Sequence, residues 1–381
     1  SLGAILVFLD NSDIYENKEL SQENLKNVKY KSLSLVEVNG NEYFIPKIIL
    51  NSDKFISINQ INVNPLFTLN LSLLNLYSII PPKYRVIGKN VREDLVHDQY
   101  KQNLMSNILD AYTIKQPNLT INDLYFTLEG AGAYIYKDSK IKTTKLMIIG
   151  DELISVDLVT LEVLSLESNS NELMVAAKNK NIEVPKLSNI KIMGEKIEDV
   201  QTNIEQCISE LNDIRVNNFT INSGKYCSGC FKQAYHLLNF MKTFMGKDLK
   251  YNVKNSFIIG ENLSEPNQSN NYLIFGDCAI STTKSYKFRK LIIESKKNII
   301  KKPKGKILRE SKSKKKPKVK VKQNKNILEL PGCPPSFFDC LELILKYFGK
   351  KEVPNLNLFT NMNRYWYNGE LNNKFKLWEV L

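Results

Sequence analysis

The sequence predicts an α/β protein: a mixed sheet layered with helices, followed by a smaller C-terminal α/β module that bears cysteines. Three observations predict it. Strand-like alternation and helix-like spacing succeed one another through residues 1–215. A second, shorter succession begins at "KYCSGC" (225–230) and fills residues 216–381. A Lys-rich stretch, 284–325, interrupts that second part without extending its hydrophobic pattern.

Residues 1–65 read as strands: "AILVFL", "SLSLVEV", "EYFIP" and "FISINQINV". "LFTLNLSLLNLYSI" (66–79) is apolar enough for a buried helix, and "QYKQNLMSNILDAYTIK" (99–115) places Leu104, Ile108 and Tyr112 at helical spacing before Pro117. Strand "LTINDLYF", the turn "EGAGA", strand "KLMIIG" and helix "ISVDLVTLEVLSL" follow, and a helical "EDVQTNIEQCISELND" closes the body. In the module, Cys230 enters a helix with Phe231, Ala234, Leu238 and Met241 on one face, ended by Gly246. Strands "NSFIIG" and "NYLIFGDCAI" come next, and Pro335 suits the first turn of a last helix carrying Phe338, Leu341 and Leu345.

Composition narrows the functional classes. At 381 residues, with 43% hydrophobic content, the chain can bury the cores of two domains. No run approaches the roughly 18–20 apolar residues of a membrane span. "SLGAILVFLD" lacks a basic leader and reads as a strand already under way, so the chain is expected to start inside a domain. Six cysteines are too sparse for a disulfide scaffold and favour a reducing, cytoplasmic setting, where clustered thiols point to metal or catalysis. The net charge of +13 is local: residues 284–325 hold 19 Lys and Arg against Glu294 and Glu310, leaving the remainder of the chain at −4.

Two groups of residues carry chemistry. Glu129, Asp151 and Asp157 flank glycine-bounded strand ends, where α/β proteins place ligands, and are the candidate catalytic acids. The plainer reading makes Gly130 and Gly132 a turn, Asp151 a helix cap and Asp157 a solvated helix residue. Cys227, Cys230, Cys278 and Cys333 form the second group, while Cys207 and Cys340 sit at helical spacing and read as core. His97 and His236, far apart, make neither a triad nor an HExxH motif, and His236 reads as an ordinary helix residue. No G-x-x-x-x-G-K-[ST] or G-x-G-x-x-G loop supports a nucleotide.

Residues 118–164 also resemble domain-of-unknown-function family 362. Pro117, Leu119, Thr120, Ile121 and Asp123, then Glu129, Gly130 and Gly132, match its "P-x-L-T-I-x-D … E-G-x-G-P" segment, with Ala133 in place of the proline. Gly150, Asp151, Val156, Asp157 and Val159 match its "G-x-D-x-x-A-V-D-x-V" segment. The resemblance places His97 at the family's histidine, which makes it a further catalytic candidate, and implies that the chain enters the family pattern part-way. It departs near Asn62, Val63 and Asn64, where the family pattern has a Lys-Thr-His run, and at Leu74, where it has a lysine. The family's longer members show "C-x-x-C … G-x-C … G-C-P-P", which resembles Cys227, Cys230, Cys278 and Cys333.

Three chemistries compete for these thiols. A CxxC at a helix start suits a redox disulfide but leaves Cys278 and Cys333 unexplained. Structural zinc favours two paired knuckles, and only one pair exists here. A [4Fe–4S] cluster accepts a close pair with distant single ligands, and "GCPP" at 332–335 fits the Cys-Pro of such ligand sets. The expectation is therefore an iron–sulfur redox or electron-transfer protein with an unidentified redox partner. The alternative is a structural-zinc protein whose Lys-rich arm, 296–325, binds nucleic acid; that arm lacks aromatics and also reads as a solvated insertion.

Overall fold

The structure, a computed structural model, describes residues 33–81, 84–85, 99–168, 171–245, 253–261, 263–289 and 326–348. His97 and the Lys-rich arm, 296–325, lie outside the described residues, as does the strand expected at the chain's start. The chain divides into two compact units, the first ending at Cys207 and the second beginning at Ile208.

The first unit opens with a hairpin, β1 (Leu33–Val38) and β2 (Asn41–Pro46), paired antiparallel. Its two-residue turn is Asn39-Gly40, both at positive φ, the backbone that a right-twisted hairpin requires. Buried Asp110 anchors the hairpin by accepting from Asn39 Nδ2 (2.7 Å) and the Tyr43 hydroxyl (2.7 Å) and by pairing with Lys180 Nζ (2.7 Å).

A five-stranded mixed sheet follows, built from β3 (Ile56–Asn64), β4 (Thr68–Leu69), β5 (Leu119–Glu129), β6 (Lys140–Thr143) and β7 (Met147–Gly150). β3 and β5 run parallel, β4 pairs antiparallel with β3, and β6 and β7 pair antiparallel with successive halves of β5. Alternate residues of β3 (Ser57, Asn59, Ile61, Val63) and β5 (Thr120, Asn122, Leu124) are buried. Against that side lie α1 (Ser72–Leu76) and α3 (Leu153–Val163), the latter buried almost all round; α2 (Gln99–Ile114) packs on α1 and β1, and α4 (Glu172–Asn179) on α2.

The second unit is a four-stranded, all-parallel sheet in the order β11-β10-β9-β8: β8 (Phe219–Ser223), β9 (Asn255–Ile259), β10 (Asn271–Phe275) and β11 (Asn326–Leu330). β9 is buried along its whole length, as expected of parallel strands covered on both faces. α5 (Ser228–Phe244) follows β8, α6 (Asp277–Thr282) follows β10, and α7 (Phe337–Tyr347) follows β11 and packs on α5. Phe240 and Phe337 meet edge-to-face there, ring centroids 6.1 Å apart.

Four expectations are corrected. The helix expected over 66–79 is broken into β4, α1 and a 3₁₀ turn, because Asn64 folds back to accept from the Leu66 and Phe67 amides. The closing helix of the body is one turn, Ile197–Val200, after which the chain runs extended and bonds to the body through Thr202 N to Val163 O (2.8 Å) and Gly130 N to Glu205 O (2.7 Å). "NYLIFGDCAI" is strand only to Phe275; Gly276, at φ +89°, turns it into α6. Pro335 stands before the cap of α7, Ser336, rather than in its first turn.

Candidate functional site

The second unit brings all four clustered cysteines to one edge of its sheet. Strand β8 ends at Ser223, and Cys227 caps α5 with Cys230 in the helix's first turn. β10 ends at Phe275, three residues before Cys278, and β11 ends at Leu330, three residues before Cys333. All three strands run the same way, so the thiols gather at the carboxyl edge, the side where open α/β sheets hold their ligands.

Backbone bonds lace these loops together. Gly224 N donates to Ile259 O (2.8 Å), and Lys225 and Glu261 exchange two bonds of 2.9 Å. Gly276 N reaches Leu330 O (2.9 Å), Asp277 N reaches Gly332 O (3.1 Å), and Gly332 N returns to Asp277 Oδ1 (3.0 Å). The last pair ties the Cys278 loop to the Cys333 loop. Gly332 is at φ +134°, where a Cβ would stand 2.7 Å from Pro335 Cα; at Gly276 a Cβ would stand 3.6 Å from the Cys230 sulfur. The glycines that precede Cys278 and Cys333 are thus backbone requirements of the site.

Electrostatics mark the same group. The Cys230 thiol bonded to Cys227 holds the Cys227 pKa down to about 6. The Gly229 and Cys230 amides at the start of α5 act in the same sense, facing the sulfur without closing a capping hydrogen bond. Cys230 moves far upward through that bond to Cys227, burial, and the nearby Cys227, Cys333 and Cys278 sulfurs. Cys278 is raised by burial and then by Cys333. Cys230 and Cys278 therefore sense the Cys227 and Cys333 sulfurs, and such groups resist ionising together without a cation between them. Among the described residues, no three His, Cys, Asp or Glu side chains already close around a common point. None of the six cysteines forms a disulfide; Cys278 and Cys333 are exposed, Cys227 half-buried and Cys230 buried.

The other two cysteines part company. Cys340 is core, 1% exposed on α7, and burial pushes its thiol up to about 12. Cys207 is half-buried in the extended segment that replaces the expected helix, so it is not a helix-face core residue. His236 is buried in α5 beside Tyr235 and Phe337, and burial lowers its pKa to about 3, leaving it a neutral core imidazole.

The three acids of the first unit are not brought together. Glu129 lies at the far end of β5, where its carboxylate accepts from Glu205 N (3.1 Å). Asp151 follows Gly150, which pairs with Thr120 at the near end of β5. Thr120 and Leu128 stand opposite Ser57 and Asn62 of β3, so the two ends are roughly 17 Å apart along the sheet. Asp151 is exposed and does not cap α3; Glu152 does, accepting from Ile154 N (3.0 Å) and Ser155 N (2.6 Å). Gly132 is pressed against β3, where a Cβ would sit 2.2 Å from the Val63 carbonyl oxygen.

Asp157 is fully buried rather than solvated. Its carboxylate accepts from Ser72 N (2.9 Å), Leu73 N (2.8 Å) and Asn122 Nδ2 (3.0 Å), so it caps α1 from a different helix. Asn122 extends the network to the Ser72 hydroxyl (2.5 Å) and Thr160 Oγ1 (2.8 Å). Burial raises the Asp157 pKa to about 7 against the pull of these donors. Its single Asp at an apolar helix position was the available sign of this interior role.

The architecture is that of an α/β protein with a mixed-sheet body and a parallel-sheet module whose strand ends carry cysteines. Residues 11–162 match the family model described as Domain of unknown function (DUF362), so the likeness drawn from the Glu129–Gly132 and Gly150–Val159 motifs is shown. That match stops short of all four clustered cysteines. No curated protein and no solved structure matches the chain. Among the described residues, no helix is long and apolar enough to cross a membrane.

Proposed function

We propose that the second unit holds a [4Fe–4S] cluster on Cys227, Cys230, Cys278 and Cys333, and that the protein serves redox or electron transfer in the cytoplasm. The observation that carries this reading is the convergence of β8, β10 and β11 on four thiols, two of which, Cys230 and Cys278, are raised by their sulfur neighbours. The donor set fits: four sulfurs on three loops, with one close pair and two single ligands, each preceded by a glycine. When bound, the cluster would supply a one-electron store. The chain's own part is to bring the loops together through the Asp277–Gly332 bonds and to shield one side with Phe231 and Phe275. Cys278 and Cys333, both exposed, leave the other side open to an electron partner.

Zinc on the same thiols, with the Lys-rich arm engaging nucleic acid, is the competing outcome. Anaerobically purified protein decides between them. A broad absorption near 400 nm that bleaches with dithionite supports the cluster, and a colourless protein with stoichiometric zinc refutes it. Cys278→Ala and Cys333→Ala should each lose the chromophore. Filter binding of RNA at two salt concentrations, with and without residues 296–325, tests the arm.

A further inference from the structure

We infer that the first unit carries an interaction edge: strand β7 pairs antiparallel with β7 of a second copy of this chain, joining two mixed sheets across a twofold axis. The thiols of the second unit play no part in it.

The backbone supplies the first observation. β7 pairs with β5 alone, with Ile148 opposite Asn122 and Gly150 opposite Thr120, and Leu124 N donates to Leu146 O (3.1 Å). Opposite residues of an antiparallel ladder alternate between bonded and non-bonded pairs, so Met147 and Ile149 turn their N–H and C=O groups away from β5. Among the described residues, no backbone group bonds to these four. Native sheets blunt such an edge with a charge, a proline or a bulge, and "LMIIG" (146–150) has none of them.

The side chains supply the second. Met147 and Ile149 lie on the sheet face opposite the helices, and both are more than half exposed. Ile149 stands beside Ile121, which stands beside Ile58, and Ile56 and Ile58 are more than half exposed as well. An apolar face therefore runs up to an open edge, the combination that marks a docking surface. Beside the edge is a cleft of about 540 Å³, lined by β7, by Val156 and Val159 of α3 and by Ile190, Ile192 and Met193, which leaves room for a further strand.

Charge selects a second copy as the occupant. Lys145 and Asp151, both exposed, bracket the uncharged run "LMIIG". Two copies of β7 paired antiparallel about Ile148 set Met147 opposite Ile149 of the other copy, and each such pair can exchange two backbone bonds. The same register brings Lys145 of each copy to Asp151 of the other, so the edge is complementary to itself in charge as well as in hydrogen bonding. An interface of one short strand is small, which places the dimer at the weak, reversible end.

The test is sedimentation velocity of the full-length chain, reduced and without oxygen, from low to high micromolar concentration. The parent should pass reversibly from monomer to dimer, and amide hydrogen exchange over 145–151 should slow as it does. Ile149→Lys should raise the dissociation constant at least tenfold. Lys145→Asp, at a left-handed position (φ +63°) that Asp tolerates, should raise it at least fivefold, and so should Asp151→Lys. Combined in one chain, the two reversals restore opposite charges and should return the constant to within threefold of the parent. Val175→Lys, an exposed apolar position on α4, should change it by less than twofold. A parent that stays monomeric throughout would leave this edge to a strand of another protein and overturns the inference. So does a dimer whose exchange over 145–151 is unchanged, or a combined variant no tighter than Lys145→Asp alone. The charge comparison stands even if Ile149→Lys fails to fold.

Discussion

The polar groups of the two units are organised in opposite ways. In the first, Asp157, Asn122, Ser72 and Thr160 are buried and satisfy one another, every Asp157 bond running to a donor at 3.0 Å or less. In the second, Cys227, Cys230, Cys278 and Cys333 stand at a sheet edge and disturb one another's ionisation. A satisfied network is glue and orientation; thiols that raise one another's pKa are held neutral until a cation favours their thiolates. Asp157 thus belongs to the architecture, and the thiols are the proposed seat of chemistry.

The strongest way to break that division is at Asp157. Asp157→Ala strands the Ser72, Leu73 and Asn122 donors in the core and should cost about 3–5 kcal/mol, read by urea denaturation. The same carboxyl predicts a pH dependence. Its folded pKa of about 7 lies above the ordinary 3.8, so the folded state binds the extra proton. Stability from this group is fully present below pH 3.8 and is lost as pH rises through 7. The denaturation midpoint should therefore fall between pH 5 and pH 8 in the parent, and that component should vanish in Asp157→Asn.

At the thiol edge, Gly332→Ala forces a Cβ onto Pro335 and a side chain into a left-handed backbone. It should cost about 1–3 kcal/mol and lower cluster content with it. A variant that keeps parental stability and metal would show that this loop does not set the ligand geometry.

Smallest of all are the changes at the start of α3. Glu152→Ala removes the cap and should cost about 1 kcal/mol. Asp151→Asn, one residue earlier and exposed, should stay within about 0.5 kcal/mol. Reversed magnitudes would restore Asp151 as the cap.

The contrast also explains what could be read from the sequence. β1, β2, β3, β5, β7, β9, β10, α2 and α5 were legible because their apolar periodicity matches their burial, as at Leu104, Ile108 and Tyr112, and α3 because it is an almost unbroken apolar run. The thiols were legible because Cys-x-x-Cys and Gly-x-Cys keep their chemistry in local spacing. The Asp157 network was not, because its partners at 72, 73 and 122 are distant in sequence and Asp157 alone looks like any polar helix residue. The gathering of Glu129, Asp151 and Asp157 failed for a related reason. Proximity in sequence across a hairpin-like run hid that β7 pairs with the opposite half of β5 from Glu129. The extended run after Val200 escaped periodicity because its bonds go to Val163 and Gly130, not to its own turns.

Most directly tested is the proposal that four thiols at the carboxyl edge of the parallel sheet hold one metal centre. Iron, zinc and acid-labile sulfide are measured on protein purified without oxygen, in the parent and in Cys278→Ala and Cys333→Ala. Iron and sulfide are expected in the equal amounts of a [4Fe–4S] cluster in the parent, with most of both lost in each variant. Undiminished iron and absorption in both variants, or zinc in place of iron in the parent, would contradict it.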